Sequence, residues 1–443
     1  MNQERFDCIV VGARCAGAPL GTHLARAGMR VCLLDAEQLP SDQPFSTHAI
    51  QVPGVDLLDE LGVGAELRKL APPVRLARFS VGGVHFDVEF PLERAMYCPR
   101  RTKLDVLLQQ TAAAAGAELR DRTAVTGLLW DDGRVIGVRA KHRGTTHSLY
   151  ASTVVGADGR NSTVARQVKA EEYLVGAAPR GGYWAYFPKS PLWGSGDWPF
   201  GTYIGIEGID ARFVFETGDD LLIMGGLTEA SRVANWTRDP LGSMRAFLEA
   251  SPATAPLIEK RAPIAPPVGL RKLRYFFRVA RGPGWALVGD AGLHKDPTPG
   301  YGITDALRDA KALARALLDG RSEALDVYWR ERDVLSLPLF CQAEDMAALG
   351  FDNPLNRLVF ERVNARKELA PRVHEVMERR RSPYEMVPPG SVVGWVLREL
   401  LRGRFSLLPL FLSAGRRGAW VRSELERRRR ELEKARESLA SAA

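Results

Sequence analysis

The sequence predicts an α/β fold: a Rossmann-like parallel sheet, an inserted antiparallel sheet and a helical C-terminal region. Three observations carry this reading. A short apolar strand, residues 6–11, runs into Gly12-Ala13-Arg14-Cys15-Ala16-Gly17, the strand, turn and helix entry of a dinucleotide site. A turn of similar construction stands far down the chain, where Leu287-Val288-Gly289-Asp290-Ala291 leads to Pro297-Thr298-Pro299-Gly300-Tyr301-Gly302. Between the two, residues 173–269 alternate as antiparallel strands do.

The first unit reads in order. Residues 6–11 are apolar except for Asp7, as in a strand buried on both faces of a parallel sheet. Gly12 permits a tight turn and Gly17 close packing of helix on strand, while Arg14 replaces the middle glycine of the usual pattern. Its side chain must point away from a bound pyrophosphate or offer its guanidinium to it. The helix runs to Ala27 and is closed by Gly28, with its N-terminal amides facing the anion. A second strand, residues 29–34, ends at Asp35, about twenty residues past the first glycine, where a carboxylate takes ribose hydroxyls. In the later unit Asp290 ends a strand and Gly302 opens a helix whose apolar stripe (Ile303, Leu307, Ala310, Leu313, Ala314, Leu317) is core packing. The N-terminus of that helix is suited to negative charge. One such turn serves a mononucleotide; two along one sheet suit a long cofactor, and FAD is the expected one.

Bulk properties narrow the alternatives. The chain has 443 residues, 45% apolar and 26% charged, a globular profile too long for one ordinary core. Its five cysteines form no C-x-x-C pair, so zinc ribbons and dithiol redox motifs are excluded, no metal is expected and a cytoplasmic setting fits. The first strand begins too early for a signal peptide, and no apolar run is long enough to span a bilayer. The net charge of +8 is diffuse, with no nucleic-acid-binding signature.

These motifs, with Arg101-Thr102-Lys103-Leu104 and Asp158-Gly159 between them, resemble the single-component flavoprotein hydroxylases of the para-hydroxybenzoate hydroxylase superfamily over residues 5–340. The Gly-Ala-Arg-Cys-Ala-Gly turn resembles a subgroup known only as FAD-dependent oxidoreductases. The resemblance implies a glutathione-reductase-type FAD domain, assembled from residues 1–72, 95–172 and 270–335, with a substrate-binding sheet from 73–94 and 173–269 and a helical region 336–443. It implies FAD binding by Gly12, Ala13, Arg14, Ala16, Gly17, Asp35, Arg101, Asp158, Asp290, Gly300, Gly302, Ile303 and Thr304. Asp290 would hold the ribityl chain and Arg101 would lie near the pyrophosphate. Where the family often places a flavin-contacting arginine, this chain has Ser46-Thr47-His48. A second G-x-G-x-x-G after a strand is absent, so NADPH or NADH would be a transient reductant without its own domain.

The implied activity is monooxygenation of an aromatic, polyketide-like or isoprenoid small molecule through a flavin hydroperoxide. The alternative is a reductase or dehydrogenase of the geranylgeranyl-reductase type; a halogenase and a non-catalytic membrane-associated flavoprotein stand behind it. Tyr183, Trp184 and Tyr186 on one strand, and His85, are candidates for the substrate pocket, although ordinary sheet packing is the stronger reading of the aromatics. His294 is the one candidate proton relay, against the reading of a loop histidine. Residues 391–417 alternate apolar runs with arginines. That pattern suits either a helical lid or peripheral contact with the inner face of a membrane.

Overall fold

The computed structural model describes residues 4–41, 46–176, 180–196 and 198–442. Strand Glu4–Val11 lies at the centre of an eight-stranded sheet, with Val31–Leu34 and Glu118–Arg120 on one side and Thr145–Gly156 and Trp285–Leu287 on the other. All of these pair in parallel. An antiparallel hairpin, Thr123–Asp131 and Arg134–His142, extends from Thr145–Gly156. The register aligns Val11 with Leu34 on one side and Gly156 on the other, and Gly156 with Leu287. Four strands therefore end along one edge, and the residues that follow them, Gly12, Asp35, Ala157-Asp158 and Gly289-Asp290, share it. The connections leave the central strand in opposite directions, which opens the crevice where α/β sheets take ligands.

Helices Gly17–Arg26 and Gly302–Asp319 pack together over one sheet face. The stripe Ile303, Leu307, Ala310, Leu313 and Ala314 is buried there, as its spacing predicts.

The second sheet has seven strands, in the order Val268–Leu270, Arg180–Pro188, Leu221–Glu229, Asp210–Thr217, Thr202–Glu207, Leu76–Val81 and Val84–Glu89. Only the pair Thr202–Glu207 with Leu76–Val81 is parallel. Both faces are covered. Ala185, Phe187, Val214 and Met224 pack on a short helical cap containing Trp236, Met244 and Phe247. Trp184, Tyr186, Phe213 and Phe215 belong to the core shared with the C-terminal helices. Strand alternation thus separates Tyr183 from Trp184 and Tyr186.

The C-terminal third is helical. Ser322–Ala347 and the long Leu407–Ser441 are held antiparallel by ion pairs. Arg417 meets Glu344 (2.8 Å) and Asp345 (2.9 Å), Arg428 meets Asp333 (3.0 Å), and Arg330 meets Glu431 (3.1 Å). Within the charged last stretch of the longer helix, Arg428 and Leu432 are buried. No helix among the described residues is long and apolar enough to cross a membrane.

Candidate functional site

A cavity of about 630 Å³ opens along the shared strand edge. Its lining runs from Glu37 and Thr123–Val125 at one end to His294–Pro297 and Gly300 at the other. Of the residues singled out from sequence, Gly12, Arg14, Ala16, Asp35, Arg101, Asp158, Asp290, Gly300, Gly302, Ile303 and His294 line it. Ala13, Gly17 and Thr304 support the wall from behind. The Ala13 amide donates to Asp35 (3.0 Å). A side chain on Gly17 would strike the Gly12 carbonyl. The Thr304 hydroxyl accepts from the Gln51 amide (3.2 Å).

The turn at the first strand is fixed by sterics. Gly12 has φ +99°, a region that L-residues avoid, and a Cβ there would lie 2.5 Å from the Ala157 carbonyl oxygen. Asp35 accepts both the Ala13 amide and, at 3.0 Å, the Glu37 amide, which orients its carboxylate at the cavity edge. Arg101 is buried and forked onto Asp105 at 2.9 and 3.0 Å. Asp158 is the clearest sign of a missing partner. One oxygen accepts the Thr163 amide (2.6 Å), while the other is buried without a hydrogen bond. Burial raises its pKa. Such an orphaned acceptor in a native site calls for a ligand or water donor.

At the far end the wall is held by buried charge. Arg180, from the second sheet, pairs with Asp296 at 2.6 Å, both side chains fully enclosed. Tyr275 also donates to Asp296, and Arg180 donates to Thr298 (2.5 Å). In the first turn of helix Gly302–Asp319, Asp305 pairs with Lys295 and with Arg379 of the C-terminal region. Burial alone would raise the Asp305 pKa. The surrounding Arg379, Lys295 and Arg308 outweigh it and hold the carboxyl well below its usual range. Gly300 has φ +70°, and a Cβ there would press on Ala49 at 2.9 Å, so backbone comes close to the cavity on both sides.

The substrate-pocket candidates divide. Trp184 and Tyr186 are buried and meet His48, with ring centroids 5.3 and 5.6 Å away. Tyr183 faces the other way and packs on Trp236. His85 corrects the expectation outright: it sits exposed on the edge strand Val84–Glu89, where alternation turns Phe86 and Val88 inward instead. His294 is buried with Nδ1 2.5 Å from the Arg274 carbonyl, and burial lowers its pKa.

His48 was visible in sequence only as a departure from the family pattern. Its φ is +64°, costly for a non-glycine residue. Nδ1 lies 3.0 Å from the Ser46 carbonyl and Nε2 2.5 Å from the Tyr186 hydroxyl. A carbonyl only accepts, so the proton is assigned to Nδ1 and Tyr186 donates to Nε2. Burial pushes the His48 pKa down to about 3, so the imidazole is neutral at ordinary pH. Its neighbours Ser46, Thr47 and Ala49 line the cavity. Arg180, also missed, had a signal: an arginine opening an otherwise apolar strand breaks the pattern, and such breaks mark functional or strained positions.

Residues 5–178 match the family model described as FAD binding domain, and the glycine-walled cavity with its orphaned Asp158 acceptor fits that cofactor. This part of the chain is an FAD-binding domain, and the protein is an FAD-dependent oxidoreductase. The chain is 25% identical over 346 residues to digeranylgeranylglycerophospholipid reductase of Methanosarcina mazei, covering 72% of this chain and 77% of that one. It is 33% identical over 168 residues to 12-dehydrotetracycline 5-monooxygenase/anhydrotetracycline 6-monooxygenase of Streptomyces rimosus, covering 36% and 32%. The crystal structure of p-nitrophenol 4-monooxygenase PnpA from Pseudomonas putida superposes with a TM-score of 0.72 at 19% identity over 85% of this chain and 98% of that one, a likeness of fold.

Proposed function

We propose that this protein is an FAD-dependent reductase that adds two hydrogens across a carbon–carbon double bond of an apolar, prenyl-type substrate, with electrons from NAD(P)H. The observation that carries the reading is the extent of likeness. The similarity to the M. mazei reductase spans 72% of the chain, well beyond the FAD-binding domain, whereas the similarity to the tetracycline monooxygenase spans 36%.

Bound FAD supplies reversible two-electron, hydride-equivalent chemistry. Gly12, Arg14, Asp35 and Arg101 would hold its nucleotide half. Asp158, Asp290 and the Gly300–Ile303 turn would hold the rest, the helix N-terminus favouring negative charge on the reduced cofactor. Saturating a double bond also consumes a proton, which hydride transfer does not provide. The Tyr186 hydroxyl, aligned on neutral His48 directly behind the Ser46–Ala49 wall, holds a proton at a defined atom on the substrate-sheet side. That proton is donated to His48 Nε2 and neither side chain lines the cavity, so the pair would position a proton behind the wall rather than deliver it directly.

Monooxygenation is the second reading, favoured by the higher identity to the tetracycline enzyme. Anaerobic turnover separates the two. The flavin-loaded protein, reduced with NADPH without oxygen and mixed with a geranylgeranyl lipid, should reoxidise and give a product heavier by two hydrogens. Product formed only with oxygen present, heavier by one oxygen atom, would reject the reductase.

A further inference from the structure

We infer that the turn between the last two helices is an interfacial docking site for an anionic lipid bilayer. Helix Pro389–Leu401 buries Trp395, Val396 and Glu399 on its inner side, and the next helix buries Leu407. The outer side repeats Val393, Leu397 and Leu401 at four-residue intervals. It continues beyond the turn through Phe405, Leu408 and Leu412. Leu401 is 89% exposed, Phe405 69%, Leu397 54% and Leu412 52%. Large apolar side chains clustered this far out of the protein mark an interaction surface.

Charge selects the partner. Between residues 389 and 422 there are six arginines and one carboxylate. That carboxylate, Glu399, is buried beneath Arg402 (2.8 Å) and Arg404 (3.1 Å). Arg398, Arg402, Arg404 and Arg416 are exposed around the apolar stripe, so this stretch presents cations with no exposed acid of its own. From the neighbouring helix, Glu361 is exposed in the groove beside Arg404, with Arg357 next to it. An apolar stripe rimmed by arginines is the pattern of a helix lying in the headgroup region with its apolar side chains in the acyl boundary. Each cation near an anionic leaflet adds about fivefold in affinity. A second copy docked through the same face would set these arginines against one another. Depth is limited to the interface, because neither helix can span a bilayer. The inference stands whichever reaction the protein catalyses.

The test uses the full-length flavoprotein and sedimentation with vesicles of phosphatidylcholine alone or mixed with phosphatidylglycerol. The protein should partition onto the anionic vesicles at least about tenfold more strongly, and less so as salt is raised. Leu401→Glu with Phe405→Glu should weaken partitioning by about tenfold or more, and Arg398→Glu with Arg416→Glu should erase most of the anionic preference. Both variants should keep the flavin absorbance and melting temperature, since all four side chains are exposed. Absence of binding to anionic vesicles, or undiminished binding by the Leu401→Glu/Phe405→Glu variant, overturns the inference. A dimer in light scattering that Leu401→Glu dissolves, with no vesicle binding, assigns the face to a second copy and overturns it as well.

Discussion

The two ends of the cavity are built by different means. At the Gly12 end the wall is local: one strand, one turn, one helix and Asp35 from the neighbouring strand, fixed by backbone sterics and amide hydrogen bonds. At the Asp296 end the wall is assembled from distant segments. Arg180 arrives from the second sheet and Arg379 from the C-terminal region, each meeting a buried carboxylate. Local geometry gives a rigid cradle that tolerates little change in shape. Long-range charge gives a wall whose integrity depends on several segments folding together.

Removing one partner at the charged end should have the largest effect. Asp296→Ala leaves Arg180 enclosed without a counter-charge and should cost about 3–5 kcal/mol of folding stability, read from the denaturant midpoint. Replacing both, with Arg180→Met and Asp296→Leu, should cost clearly less. Equal losses would mean that the pair itself, not the stranded charge, supports the wall.

At the steric end Gly12→Ala should cost about 2–3 kcal/mol, through positive φ and the collision with Ala157. The loss should fall mainly on the melting temperature, with flavin affinity, measured by fluorescence titration, falling as the turn is displaced. Asp35→Asn should be milder, weakening flavin binding by about tenfold as a charge-assisted contact is lost.

The smallest effect near neutral pH belongs to His48. Its folded pKa, about 3, lies below the unfolded value near 6.5. The unfolded state therefore takes the proton first. This contribution to stability is complete above pH 6.5 and is lost as pH falls toward 3, by at most about 1.4 kcal/mol per pH unit. His48→Gln should remove that slope from the variant's own curve, so the difference between variant and wild-type stability should change as pH falls below about 6.5. Parallel curves would show that the imidazole is not enclosed as described.

The same contrast explains what the sequence made legible. The Gly12 turn, Asp35, Asp290 and the helix at Gly302 could be found because each is a short motif whose spacing encodes local geometry. Trp184 and Tyr186 were found as neighbours, since alternation alone puts them on one face. His85 was misplaced because an edge strand exposes alternate residues, and nothing local says which strand is the edge. The roles of His48, Arg180 and Arg379 were out of reach. Each depends on a partner that only the folded chain brings near, across separations of more than seventy residues.

Arg379 carries one more consequence. It donates to the Gln51 side chain (3.1 Å) and the Tyr301 carbonyl (3.2 Å) as well as pairing with Asp305. The C-terminal third is thereby fastened to the mouth of the dinucleotide domain and cannot be treated as a detachable appendage. A fragment ending before residue 379 would leave Lys295 and Arg308 to balance Asp305 alone. Transplanting this C-terminal region onto a related dinucleotide domain would need Gln51, Tyr301 and Asp305 to travel with it.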